Sequence, residues 1–215
     1  MINLIKKLAI YDKNFTYVIS VFIIMLSLSL FTLENNSEQE VMLTLTWICA
    51  TFVLQISTNN LFASDYYDGI LEQIFIQPFS SKLIITCKIF AHWLLFGLPI
   101  SVISSIFSFV VLGNNIKYSI AVGLSLLLST LIVINISAVG NALMIGRNNL
   151  ASGVSQILVL PIIMPVFIYF KLLVQLEGLS LNILTLLVTA LTFAILIINS
   201  IIAAHIALKS AIEQD

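Results

Sequence analysis

The sequence predicts an all-α, polytopic membrane protein made of one domain, residues 1–215. Three observations predict it. The chain is 60% hydrophobic and 9% charged, with a mean hydropathy of +1.13, whereas soluble domains are about 45–50% apolar. Its apolar runs reach the roughly 20 residues that a helix needs to cross about 30 Å of hydrocarbon. Runs such as Val21-Phe-Ile-Ile-Met-Leu26 and Leu126-Leu-Leu128 do not alternate as barrel strands do. Inside lipid a helix is then the remaining way to satisfy every backbone group.

Six spans are expected, near residues 15–33, 41–62, 83–112, 118–139, 153–171 and 181–208. Ahead of the first, Leu4, Leu8, Tyr11 and Phe15 form one stripe while Lys6, Lys7 and Lys13 lie off it. That spacing predicts a short interfacial helix along the membrane surface. No small-residue cleavage site precedes the acidic loop Glu34-Asn-Asn-Ser-Glu-Gln-Glu40, so the first span is expected to be retained. The third run, 83–112, would make a helix about 45 Å long. Pro99 removes a hydrogen bond within it, and a kink or break is expected at Gly97-Leu-Pro99. Pro161 and Pro165 predict irregularity in the fifth span, so Gly97, Pro99, Pro161 and Pro165 are candidate hinges. In the last span Ala203, Ala207 and Ala211 repeat at the spacing of a helix-packing face.

Basic residues orient this array. Lys6, Lys7, Lys13, Lys82, Lys88, Arg147 and Lys209 fall on one side and Lys117 and Lys171 on the other, seven against two. By the positive-inside rule both termini are expected in the cytoplasm.

One charged island interrupts the apolar runs on that same side. Ser64-Asp-Tyr-Tyr-Asp-Gly-Ile-Leu-Glu-Gln-Ile-Phe-Ile-Gln-Pro78 holds three of the ten acidic residues, Asp65, Asp68 and Glu72. Asp68 is suited to cap a helix start, with Glu72 one turn on. Ile70, Leu71, Ile74 and Phe75 supply an apolar stripe, and Pro78 discourages helix beyond Gln77. The expected product is a short amphipathic helix on the link between the second and third spans. Such a helix can dock into a groove on a soluble partner; an ordinary solvated loop with capping acids is the other reading.

Lys88 and His92 lie one turn apart on the third span. Lys88 is near enough to the edge to snorkel. His92 is deeper and suits a hydrogen-bonded core position, a ligand to heme iron or a proton acceptor, and its neighbour Trp93 suits a packing or interface position. Gln55, Asn59, Asn60, Asn135 and Asn199 are polar groups within apolar runs, explained equally by interhelical hydrogen bonds or a transport path. Cys49 and Cys87 form no Cys-x-x-Cys pair, so no disulfide, zinc site or covalently attached heme is expected. The turn Gly140-Asn-Ala-Leu-Met-Ile-Gly-Arg147 lacks the Gly-Lys-Ser/Thr ending of a phosphate loop. ATP hydrolysis would therefore have to come from another subunit. No catalytic constellation or metal site is present, and no basic patch suggests nucleic acid.

Taken together, Asp65 through Pro78, Lys88-Ile-Phe-Ala-His-Trp93, Gly97-Leu-Pro99 and Gln156-Ile-Leu-Val-Leu-Pro-Ile-Ile-Met-Pro165 closely resemble the heme exporter protein B (CcmB) family. Asn148-Asn149 and Ile100 depart mildly from that pattern. The resemblance implies the permease subunit of an ABC exporter in the cytochrome c maturation system of a bacterial inner membrane. It implies a separate cytoplasmic ATPase, a heme-handling membrane partner, membrane lipid around it, a homodimer within a larger complex, and heme as the substrate. It also implies that Asp65, Asp68, Gly69, Leu71, Glu72 and Pro78 belong to the coupling helix that meets the ATPase. His92 and Trp93 are candidates for a heme or transport path, or for bracing that helix. Two other functions remain beside this one: a scaffold that positions heme-handling proteins without moving heme, and an ABC permease for a lipid or drug.

Overall fold

The computed structural model describes residues 15–32, 39–59, 61–76, 80–111, 113, 115–145, 159–167 and 201–211. Among these residues all regular structure is helical, joined by short turns, with no strand. In order come α1 (Phe15–Thr32), α2 (Gln39–Thr58), α3 (Ala63–Tyr67), α4 (Ile70–Ile76) and α5 (Ser81–His92). A π-helical turn (Trp93–Gly97), α6 (Leu98–Val110) and α7 (Ile116–Met144) follow. Residues 159–167 form α8 and Ile201–Ala211 form α9.

Among the described residues three helical segments are long and apolar enough to cross a membrane, Val41–Tyr67, Ser81–Val110 and Ile116–Met144, and α1 and α9 are shorter apolar helices. Large apolar side chains such as Phe31, Ile106, Ile120 and Ile206 stand on the outside of the bundle. That is the expected surface of a protein whose solvent is lipid. The chain is a multi-pass membrane protein.

The core is built where α1, α2, α7 and the π-turn converge, around Phe22, Val53, Leu54, Phe96, Ile134 and Ala138. The most extensive pairing is α6 against α7, and its cause is small side chains. Ser101, Ser104 and Ser108 are buried on one face of α6. A Cβ on Gly123 of α7 would lie 2.9 Å from the Ser105 Cβ, so the two backbones approach as closely as glycine allows. Ser105 Oγ donates across the gap to the Ser119 carbonyl at 2.8 Å. Other buried hydroxyls turn back on their own helix, as in Ser104 to Ile100 (2.8 Å) and Ser125 to Val122 (2.9 Å). A buried hydroxyl left without water gains by taking a nearby carbonyl in this way.

Several expectations are corrected. The third span is not broken at Gly97-Leu-Pro99. It runs through as one 30-residue helical segment, and its irregularity is the π-turn just upstream of the proline. The Leu98 N–H reaches the Trp93 carbonyl five residues back, so the ladder lengthens by one residue before Pro99 interrupts it. Around Pro161 and Pro165 the described stretch, 159–167, is continuous helix rather than irregular. Asp68 does not start a helix. It ends α3 as the C-cap residue, and Gly69, at φ +68°, makes the left-handed turn into α4. In α9 the buried positions are Ala204, Ala207 and Leu208, so the packing face is offset from the Ala203–Ala207–Ala211 row. The expected interfacial helix before residue 15 lies outside the described residues, as do Pro78 and most of the fifth and sixth expected spans.

Candidate functional site

The link between the second and third spans is two one- to two-turn helices, α3 and α4, joined at Gly69. Residues on the link fall into two groups. Leu71 is 1% exposed and holds α4 against the protein body. Phe75 packs its ring against His205 of α9, centroids 5.4 Å apart, and His205 Nε2 shares a 3.0 Å hydrogen bond with Ser81 Oγ at the start of α5. Asp65 is likewise turned inward, forming an ion pair with Lys88 of α5.

The second group faces outward. Asp68 and Glu72 are exposed, on either side of the left-handed turn at the half-buried Gly69. Tyr67, Ile70 and Ile76 flank them at 70%, 42% and 83% exposure. An apolar residue as open as Ile76 beside two carboxylates, on a helix pair otherwise clamped to the bundle, has the composition of a protein contact. The candidate residues therefore divide. Asp68 and Glu72 are exposed, whereas Asp65 is paired with Lys88 and Leu71 is buried.

His92 and Trp93 are brought together with other side chains, not with an open path. His92 is 6% exposed, its Nε2 lies 3.1 Å from Ser57 Oγ, and its ring packs on Phe96 with centroids 4.5 Å apart. Ser57 has one hydroxyl proton, given to the Leu54 carbonyl at 2.8 Å, so His92 Nε2 is the donor to Ser57. Trp93, 9% exposed, donates through Nε1 to Thr130 Oγ1 at 3.3 Å. A Cβ on Gly97 would stand 2.6 Å from Trp93 Cδ1, so the absence of a side chain at Gly97 is what seats the indole. Among the described residues no cluster of three or more His, Cys, Asp or Glu side chains could hold a metal ion.

Sequence reasoning placed Lys88 and His92 on one helix face but missed the partner of each. It also passed over His205, which ties the C-terminal helix to the link. The signal for Lys88 was present, since a lysine within an apolar helix beside an acidic loop calls for a counter-ion. His205 carried no such signal.

The family model of the CcmB protein matches residues 6–213. The chain belongs to the CcmB family. A heme exporter protein B of Pseudomonas aeruginosa is 33% identical over 145 residues, covering 66% of this chain and 64% of that protein. One from Haemophilus influenzae is 32% identical over 134 residues, covering 62% and 60%. One from Rhodobacter capsulatus is 29% identical over 168 residues, 76% of each. The chain thus spans somewhat less than two thirds of the first two of these CcmB relatives and about three quarters of the third.

Proposed function

We propose that this chain is the permease subunit of an ABC complex for heme export, working in c-type cytochrome biogenesis and driven by a separate cytoplasmic ATPase. The observation that carries the proposal is the link itself. Asp68, Glu72, Tyr67 and Ile76 are presented outward from a helix pair whose other face is pinned by Leu71, Phe75 and Asp65. A docking element must do both things, offering a surface to the partner and passing displacement to the membrane helices. Family membership and relatives named heme exporter protein B support heme as the substrate.

The remaining parts of the reading follow. The permease itself is not an enzyme; ATP binds the partner subunit and heme is cargo rather than a resident cofactor. The excess of basic residues at the link side supports both termini in the cytoplasm, and the bacterial relatives support a bacterial inner membrane. A heme-handling membrane protein, surrounding lipid and a second copy of this chain complete the assembly. His92 and Trp93 brace the third span, a role supported by their burial and hydrogen bonds. Gly97, the last residue of the π-turn, and Pro99 just beyond it are the hinge, with Pro161 and Pro165 as further hinge positions.

The scaffold reading keeps one observation in its favour. Among the described residues the buried polar side chains are mostly hydroxyls, many of them bonded within their own helices, rather than the fixed charges an anionic porphyrin would favour along a path. Reconstitution of the purified complex in vesicles decides between the readings. ATP-dependent appearance of heme absorbance on the far side is expected. ATP turnover without heme movement, in a complex still required for c-type cytochromes, would leave the scaffold. Normal c-type cytochromes in a deletion strain, with altered lipid or drug export, would leave the lipid or drug permease.

A further inference from the structure

Lys88 stands on α5, 23 residues after Asp65, and the two side chains are only 17% and 19% exposed. Its amine also sits 5.7 Å from the centre of the Phe62 ring, which is 1% exposed and directly precedes α3. One turn further along α5, His92 is hydrogen-bonded to Ser57 of α2. The two rungs therefore leave one face of α5 and grip the chain at Ser57, near the end of α2, and at Asp65, within α3. Immediately past His92 the regular helix gives way to the π-turn.

We propose that the Asp65–Lys88 ion pair is a transmission strut, which makes the link and the third span move as one body. The proposal rests on the docking reading of the link given above. A short helix joined to its neighbours by turns alone would tilt when pulled and dissipate the displacement. A pair of opposite charges largely withdrawn from water resists that tilt, because separating them exposes each to an uncompensated burial. The Ser57–His92 rung fixes the same face to α2, so displacement leaves along α5 and meets the π-turn, the least regular point of the span. Asp65 is thus a positioning residue, and the contact with the ATPase falls to Asp68 and Glu72.

The test uses the complex purified from membranes with its ATPase. It compares wild type with Asp65→Asn, Lys88→Gln and the exchange Asp65→Lys with Lys88→Asp. The single variants are expected to retain the ATPase within about twofold and to keep hydrolysing ATP, while cellular c-type cytochrome falls about fivefold or more. The exchange is expected to restore at least about half of it, the signature of a direct pairwise coupling. Lys88→Arg, which keeps the charge in place, is expected to stay near wild type. Unchanged cytochrome in both single variants would overturn the proposal. So would an exchange, present in the membrane, that does no better than the single variants, or loss of function in Lys88→Arg. Loss of the ATPase from the single variants would also overturn it, by making the pair part of docking. A wild-type complex without an ATPase refutes the docking reading and the strut together, a failure visible before any variant is made.

Discussion

Ser57 and Thr130 do the same work on two sides of the third span. Each gives its own hydroxyl proton to a carbonyl three residues back, at 2.8 and 2.9 Å, and accepts from an aromatic nitrogen on the span. Trp93→Phe keeps the bulk and removes one such bond. It is expected to cost about 0.6–1 kcal/mol, read as a small fall in the unfolding midpoint in detergent. Gly97→Val is far more severe, because its Cβ would occupy space held by Trp93 Cδ1 and Thr130 Oγ1, at 2.6 and 3.0 Å. Overpacking of that kind costs roughly 1–3 kcal/mol. Gly69 differs again, for nothing lies within 4 Å of its Cβ position and only φ +68° demands glycine. Gly69→Ala is expected to destabilise the junction by about 1 kcal/mol, with little change in global unfolding and faster proteolysis between α3 and α4.

At the scale of elements, small side chains are what let α6 and α7 approach closely. Gly123→Leu should separate them, costing about 1–3 kcal/mol or more and lowering the amount of protein recovered from membranes. Ser105→Ala, which removes one interhelical bond, should cost only about 0.6 kcal/mol. Much of the element order was legible in the sequence, because lipid imposes length and hydrophobicity on each span. The link was legible too, since acids in an apolar chain are rare and costly. What the sequence did not display were the cross-element partners. The Asp65–Lys88 pair, the His92–Ser57 bond and the His205–Phe75 contact depend on which helices neighbour each other, and periodicity says nothing of that. The π-turn escaped for another reason: proline announces a missing hydrogen bond but not whether the helix breaks or widens to absorb it.

For the whole molecule, orientation and docking make one connected claim. In the proposed orientation, which the excess of basic residues supports, the link lies in the cytoplasm, where the proposed ATPase would meet Asp68 and Glu72. With Cys49 and Cys87 replaced, a single cysteine at position 72 should react with an impermeant thiol reagent in inside-out vesicles but not in right-side-out ones. The most direct measurement of the central claim is copurification of tagged protein in mild detergent, wild type beside Asp68→Lys with Glu72→Lys, followed by mass spectrometry. The account predicts an ABC ATPase with the wild type and at least a tenfold loss of it with the double variant, at equal amounts of permease. Equal recovery of the ATPase with both would contradict it.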